Sequence, residues 1–147
     1  MKKRGFTLIE LVAVLAIISI VSAIAITRFN IIDNFKANIE LQTLINDCDY
    51  AKMKAISTGE TYTLAFTNNT YSVYGASTLS MDAPIKRELN YIYFNYYNMS
   101  KNEIKFNKNG NVTNPGTIEI CVPDGADEKK LVELKVRVNL GYVRYKK

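Results

Sequence analysis

Residues 2–26 read KKRGFTLIELVAVLAIISIVSAIAI, and this stretch decides how the rest of the chain is arranged. Three basic residues precede a glycine, and an apolar run of 21 residues then extends from Phe6 to Ile26. At about 1.5 Å of rise per residue, a helix of that length spans roughly 31 Å, close to the thickness of the hydrocarbon core of a bilayer. The run therefore predicts a transmembrane helix.

One acidic residue, Glu10, lies inside this apolar run. A carboxylate in a membrane helix costs on the order of 3 kcal/mol near the bilayer centre, so such a residue needs a partner and predicts a functional role. One alternative is a plain membrane anchor in which Glu10 reaches the interface. Another is an ordinary secretory signal peptide cleaved after Ala23-Ile24-Ala25, although the run is longer than the usual apolar region of ~7–15 residues.

Residues 3–10, KRGFTLIE, resemble the class III signal of type IV pilins and pseudopilins. In that family the prepilin peptidase, a membrane aspartyl peptidase, cuts after the glycine and methylates the new N-terminal phenylalanine. The resemblance implies cleavage between Gly5 and Phe6 and methylation of Phe6. It also implies that Glu10 contacts the N-terminal amine of a neighbouring subunit in a fibre, a charge-assisted contact that would offset the cost of burying the carboxylate.

The composition leaves room for one small soluble domain beyond the apolar run. The chain has 147 residues, no histidine, no tryptophan and a formal net charge of +5, of which the leader supplies three charges. Without histidine, Ser/His and Cys/His nucleophilic systems and histidine metal sites are excluded. The scattered glycines form no phosphate-binding loop. We therefore expect no enzyme activity, no metal and no cofactor.

Residues 27–58 continue the helix with an amphipathic pattern. Apolar residues recur there at spacings of mostly three and four, which predicts one apolar face: Ile32, Phe35, Ile39, Leu41, Leu44, Ile45, Cys48 and Ala55. Since no proline or glycine interrupts the chain before Gly59, we expect one helix from about Phe6 to Ser57 that stops at 57–59. Its lower half, 6–26, would lie in the membrane, and its upper half, 27–58, would pack on a sheet.

From residue 59 the pattern changes to that of short β-strands. Runs rich in β-branched and aromatic residues predict about seven antiparallel strands, at 61–66, 70–75, 85–97, 104–106, 117–122, 131–138 and 142–145. The predicted class is therefore α+β, a long helix followed by segregated strands. The predicted organisation is a leader at 1–5, the two halves of the helix at 6–26 and 27–58, and an antiparallel β domain at 59–147.

The body of the chain carries a second resemblance. Residues 51–66, 104–121 and 135–147 resemble segments of the H-type minor pseudopilins of type II secretion and of the related FimT minor pilins, with Tyr142 where that family usually has arginine. The resemblance implies a non-enzymatic minor pilin or pseudopilin that joins other pilin or pseudopilin subunits through its helix. It also implies a single-pass cell-membrane protein with its C-terminal domain outside the cytoplasm, which then enters a cell-surface or envelope fibre.

The two cysteines, Cys48 and Cys121, have two interpretations. Both can be small buried apolar residues. Outside the cell they can instead form a disulfide that joins the helix to the sheet. Two thiols without histidine supply too few ligands for a metal site.

The basic C-terminal segment predicts an alternative function. Residues 129–147 sum to a net charge of +6, whereas residues 5–128 sum to −4. Cations that neutralise phosphates, with tyrosines that stack on bases, are suited to DNA; the cations are Lys135, Arg137, Arg144, Lys146 and Lys147. In the FimT branch a basic C-terminal segment binds DNA during uptake, so a competence minor pilin is one alternative. A solvated lysine-rich edge that limits aggregation is another, and a secreted binding module with an ordinary signal peptide is a third.

Overall fold

The computed structural model describes residues 7–76, 83–99, 101–124, 128–137 and 143–146. In this part of the chain one helix, α1 (Leu8–Thr58), precedes eight strands that form two antiparallel sheets. The strands are β1 (Tyr62–Phe66), β2 (Thr70–Gly75), β3 (Ile85–Glu88), β4 (Tyr93–Asn98), β5 (Glu103–Phe106), β6 (Gly116–Asp124), β7 (Glu128–Val136) and β8 (Val143–Lys146). The predicted α+β class is confirmed.

Capping contacts define both ends of α1. At its start, the hydroxyl of Thr7 accepts a hydrogen bond from the N–H of Glu10, and the Glu10 carboxylate accepts one from the N–H of Thr7. This capping box satisfies backbone donors that the first turn leaves free. At its end, Gly59 has a φ of +71° and donates its N–H to the carbonyl of Ala55 at 3.1 Å. The predicted stop at 57–59 is confirmed, and 51 residues form one helix.

The strands of the two sheets are interleaved in the order of the chain. One sheet has the order β3-β2-β1-β5 and the other the order β4-β6-β7-β8. In the first, Leu64 lies opposite both Val73 and Ile104, and in the second, Ile118 lies opposite Leu134. These apolar pairs face the core, and α1 contacts strands of both sheets.

The core lies between α1 and the sheets. Six residues of α1, at alternating spacings of four and three, are buried there: Ala37, Leu41, Leu44, Cys48, Ala51 and Ala55. The alternation keeps these side chains on one face of the helix, and small residues at four of the positions let the strands approach closely. Each fully buried leucine contributes about 1.5–3 kcal/mol relative to exposure.

The predicted apolar face of the upper half is partly wrong. Ile32, Phe35 and Ile39 were expected to face the sheet, but their side chains are 48%, 66% and 50% exposed. Ala37, which is buried, lies two residues from both Phe35 and Ile39, and two residues correspond to about 200° around a helix. The upper half therefore has two opposite apolar faces near residue 37, and the sheets cover one of them.

The predicted strand at 85–97 is also wrong in one respect. Two strands, β3 and β4, occupy it, and they belong to different sheets. The link between them is fixed to the β1–β2 turn, since Leu89 donates its N–H to Asn69 at 2.7 Å and Phe94 donates to Asn68 at 2.8 Å. The aromatic residues do not show this break, because they begin within the link, at Tyr91, and none lies in β3.

Among the residues that the structure describes, no helix is long and apolar enough to cross a membrane. The transmembrane assignment of residues 6–26 is therefore not confirmed.

Candidate functional site

The lower half of α1 is an uncovered apolar surface with one carboxylate at its start. From Leu8 to Val21 the large apolar side chains are between 47% and 81% exposed. Glu10 lies among them, and the N–H and hydroxyl of Thr7 donate to its Oε2 at 2.9 and 3.0 Å. A carboxylate offers about four acceptor positions, so Glu10 retains capacity for a further donor such as an amine. Gly5 and Phe6 lie outside the described residues.

The upper half of α1 is held to the link between the two sheets by Glu40. Its carboxylate accepts hydrogen bonds from three consecutive backbone N–H groups, those of Asn90, Tyr91 and Ile92, at 3.0, 2.9 and 3.1 Å. Successive N–H groups that point to one place form a concavity suited to an anion. Glu40 thereby fixes the point at which the chain passes from β3 to β4.

One turn below Glu40, Lys36 contacts the same link. Its ammonium donates to the hydroxyl of Tyr91 at 2.9 Å and lies 5.0 Å from the centre of that ring. The hydrogen bond to Tyr91 raises the pKa of Lys36 above its ordinary value. The lysine and Glu40 together tie the helix to residues 90–92.

A second polar contact joins α1 to β2 and β3. Asp47, which is 7% exposed, accepts hydrogen bonds from the hydroxyl of Tyr71 at 2.8 Å and from Nε of Arg87 at 2.9 Å. Burial, and then the hydrogen bond to Asp47, raise the pKa of Tyr71. The hydrogen bond to Asp47 likewise raises the pKa of Arg87. We call these three residues the Asp47 cluster.

The sequence interpretation did not identify Glu40, Asp47 or Arg87. A signal for the first two was present, because Glu40, Leu44 and Asp47 are spaced by four and three and so share one face of the helix. An acidic residue beside a buried face requires a partner. The partners themselves, on β2, β3 and the link, are 24 to 52 residues away in sequence and carry no local signal.

The structure does not bring the two cysteines together. Cys48, 1% exposed, belongs to the core between helix and sheets. Cys121 is 6% exposed, but its neighbours Ile120 and Val122 face that core, so alternation along β6 puts its side chain on the other side of the sheet. Both are free, buried thiols, as in the first of the two interpretations, and the alternative disulfide is not formed. Burial raises the pKa of Cys48.

The residues predicted to bind DNA are partly brought together. The β7–β8 register places Lys135 opposite Arg144 and Glu133 opposite Lys146, at the end of the sheet order. Nζ of Lys135 lies 3.1 Å from Oε2 of Glu133, so a carboxylate is interleaved with these cations. Arg137 is exposed just after β7, and Lys147 lies outside the described residues.

In the described ranges no three cysteine, aspartate or glutamate side chains are grouped as metal ligands. The buried acids are used in holding the helix to the strands. The arrangement thus consists of a helix with an exposed apolar lower half, a carboxylate in its first turn and a β domain packed on its upper half.

Two crystal forms of the type IV minor pilin FimU of Pseudomonas aeruginosa are similar to the chain, with TM-scores of 0.49. The match to the first crystal form has 16% sequence identity and covers 72% of this chain and 89% of the FimU chain. The match to the second has 17% sequence identity and covers 77% of this chain and 92% of the FimU chain. No curated protein sequence matches the chain.

Two protein families match the sequence directly. Residues 1–26 match the prokaryotic N-terminal methylation motif. Residues 40–141, more than half of the chain, match the family described as type II transport protein GspH. The chain therefore belongs to the GspH family of type IV pilin-like proteins and begins with a prepilin-type motif.

Proposed function

We propose that the chain is a non-enzymatic structural subunit, a minor pilin or pseudopilin, of a type IV pilus-like or type II secretion-like fibre. One observation carries the proposal. A single helix of 51 residues is uncovered along its lower half and packed on two sheets along its upper half. Exposed apolar surface of that extent marks a site of association.

Processing by a prepilin peptidase comes first in this proposal. The N-terminal motif that matches residues 1–26 supports cleavage between Gly5 and Phe6 and methylation of Phe6. The cut removes Lys2, Lys3 and Arg4 and leaves an amine one residue before the N-cap Thr7.

Assembly through Glu10 follows. In the single chain Thr7 donates two hydrogen bonds to the Glu10 carboxylate, which leaves other acceptor positions open. The surrounding apolar side chains are exposed. When a second subunit covers those side chains, the carboxylate leaves water and needs a cationic partner. The amine of Phe6 on the neighbouring subunit would supply that charge, so Glu10 favours association and fixes its register.

Before assembly, we propose, residues 6–26 hold the chain in the cell membrane with the C-terminal domain outside the cytoplasm. The basic leader supports this orientation, because positive charges beside a membrane segment stay on the cytoplasmic side. The fibre subunits that share this N-terminal helix are the proposed partners.

Processing is tested by the mass of the mature full-length chain isolated from cells with a prepilin peptidase. We expect loss of residues 1–5 and addition of one methyl group. Loss of residues 1–25 would instead identify an ordinary signal peptide and overturn the proposal.

Assembly is tested by Glu10→Gln, with Glu88→Gln, an exposed residue of β3, as the matched control. Both variants should be processed normally, but Glu10→Gln should be lost from the sheared fibre fraction while Glu88→Gln is retained. Equal recovery of the two variants would show that Glu10 has no role in assembly.

The DNA-binding alternative stays a prediction. The register places Glu133 opposite both Glu119 and Lys146, which adds carboxylates among the cations. Phosphate binding favours uninterrupted positive charge. A gel-shift assay that compares the chain with its Arg144→Glu/Lys146→Glu/Lys147→Glu variant decides the question, since an unchanged shift excludes this site.

A further inference from the structure

The turn that follows β5 contains a chemically labile pair of residues. Asn109 is followed by Gly110, and this is the one asparagine–glycine pair in the sequence. Asn109 is exposed to water. Glycine has no Cβ, so its peptide nitrogen can approach the side-chain carbonyl carbon of the preceding asparagine without steric obstruction. The pair is therefore suited to an intramolecular reaction for which water is the only other reactant.

The reaction is deamidation through a cyclic imide. The backbone nitrogen of Gly110 gives up its proton to water and attacks Cγ of Asn109, so that a bond forms between these two atoms. The bond from Cγ to Nδ2 breaks, and the side-chain nitrogen takes up a proton and leaves as ammonia. Water then opens the ring at one of its two carbonyl carbons, which gives aspartate or isoaspartate at this position. The net change replaces an amide by a carboxylate, and no electrons are transferred.

The attacking nitrogen is held in the folded chain. The N–H of Gly110 donates to the carbonyl of Asn107 at 2.8 Å. Since the nitrogen must lose that proton and turn toward Asn109, this hydrogen bond has to break before the ring can form. Gly110 is also buried, which limits the access of water to its N–H.

Asn107 closes the turn with both its backbone and its side chain. Its Oδ1 accepts hydrogen bonds from the N–H groups of Asn109 and Asn111, both at 3.0 Å, and its own N–H donates to the carbonyl of Asn111 at 2.9 Å. Removal of the side-chain acceptor would take two of these hydrogen bonds away, so the turn would open more often. The side chain of Asn107 therefore controls how often the nitrogen of Gly110 is released.

One of the two products does not fit the closed turn. A Cβ added at Gly110 would lie 2.6 Å from Cδ1 of Ile56 and 3.4 Å from Cε of Lys52, so the turn packs directly on α1. Isoaspartate lengthens the main chain by one methylene group before Gly110, and this close packing leaves no space for it. Formation of isoaspartate should therefore loosen the turn from the upper end of α1.

We propose that Asn109 is a site of spontaneous deamidation and that Asn107 protects it. The closed turn preserves the amide, and each opening of the turn exposes it to an irreversible loss of ammonia. Asn107 is a positioning residue, because it acts through the nitrogen of Gly110 and takes no part in the bond changes. This inference depends on the turn alone and is independent of the proposed structural function.

The test follows Asn109 in the purified full-length chain, incubated in detergent at neutral pH. Mass spectrometry of the peptide that contains residues 107–111 measures the change in mass on deamidation, and chromatography separates aspartate from isoaspartate. The samples are the folded wild-type chain, the same chain in denaturant, Asn107→Ala and Asn107→Asp, which keeps acceptor oxygens at that position. Lys108→Ala, at an exposed residue of the same turn, is the matched control.

We expect Asn109 to react about tenfold faster in Asn107→Ala than in the folded wild-type chain, a change that corresponds to 1.4 kcal/mol of turn stability. Asn107→Asp and Lys108→Ala should react at the wild-type rate, and the denatured chain should react fastest. Equal rates in the folded and denatured wild-type chains, or no acceleration in Asn107→Ala, would overturn the proposal. Amide protection at Leu64 in β1 shows whether Asn107→Ala stays folded, and if it does not, the comparison of the folded and denatured wild-type chains decides.

Discussion

The carboxylate of Asp47, in the upper half of α1, accepts a hydrogen bond from the hydroxyl of Tyr71 on β2 at 2.8 Å. Arg87 of β3 completes the cluster at 2.9 Å. Tyr71 is only 3% exposed, while the side chain of Arg87 is 47% exposed. The two partners of the acid therefore lie in different surroundings, and their removal should have different consequences.

Asp47→Ala should lower the free energy of unfolding by about 2–3 kcal/mol, because it leaves the hydroxyl of Tyr71 buried without its acceptor. Arg87→Met should cost only ~1 kcal/mol, since water screens the exposed guanidinium. Chemical denaturation of the full chain in detergent measures both. Asp49→Ala, an exposed acid on the same helix, is the control, and a loss there equal to that of Asp47→Ala would contradict the assignment.

Removal of the Glu40 carboxylate should loosen the link between the sheets. Glu40→Ala leaves three backbone donors at residues 90–92 without their acceptor and should cost about 2 kcal/mol. Glu40→Gln keeps one acceptor oxygen and should cost less. Amide hydrogen exchange locates the effect, because protection should fall at residues 90–92 in Glu40→Ala and stay unchanged at Leu64 in β1. Uniform loss of protection would show that Glu40 acts only on global stability.

The buried thiol of Cys48 predicts a loss of stability in alkali. Burial raises its pKa above the ordinary value of 9.0, so the folded state holds the proton more tightly than the unfolded state does. The stabilising difference is complete below pH 9 and is lost as the pH rises above it, at up to about 1.4 kcal/mol per pH unit.

We therefore expect the free energy of unfolding to decline between pH 9 and 10, and Cys48→Ala to make that decline shallower. Tyr71, whose pKa is also raised, adds a similar loss above its ordinary value of 10.0. Denaturation curves at pH 8, 9 and 10 measure the slopes. Identical slopes for the wild-type chain and Cys48→Ala would refute this source of alkaline sensitivity.

Two glycines with positive φ should respond differently to alanine. Gly59 and Gly110 have φ values of +71° and +76°, so alanine is strained at both, by about 1 kcal/mol. At Gly59 an added Cβ meets nothing within 4 Å, whereas at Gly110 it would lie 2.6 Å from Cδ1 of Ile56. Gly110→Ala should therefore be the more destabilising of the two in thermal unfolding, and the reverse order would contradict the close packing of that turn on α1.

Local signals in the sequence were sufficient for the helix and most strands. The extent of α1 follows from the absence of proline and glycine before Gly59, and its cap follows from Thr7 and Glu10 at the spacing of a capping box. The turn at residues 107–111 has a local signal of the same kind in its asparagines and Gly110. These features depend on residues a few positions apart.

Features that depend on distant residues were not predicted. The face of α1 at Phe35 was assigned to the core because apolar spacing alone does not say which of two apolar faces meets the sheet. The sequence of residues 85–97 predicts one strand, because the interruption at residues 90–92 depends on Glu40, 50 residues before Asn90 in the chain. Cys48 and Cys121 keep two interpretations in sequence, free buried thiols or a disulfide, because spacing does not give the face to which each side chain points.

The order of the strands along the chain makes the β domain difficult to divide. After β1, β2 and β3 the chain leaves the first sheet to form β4 in the second, returns as β5 beside β1, and then completes the second sheet. The chain therefore passes through β4 of the second sheet before β5 completes the first. A C-terminal truncation between β3 and β5 would consequently remove strands from both sheets, so the β domain should be expressed and should unfold as a single unit.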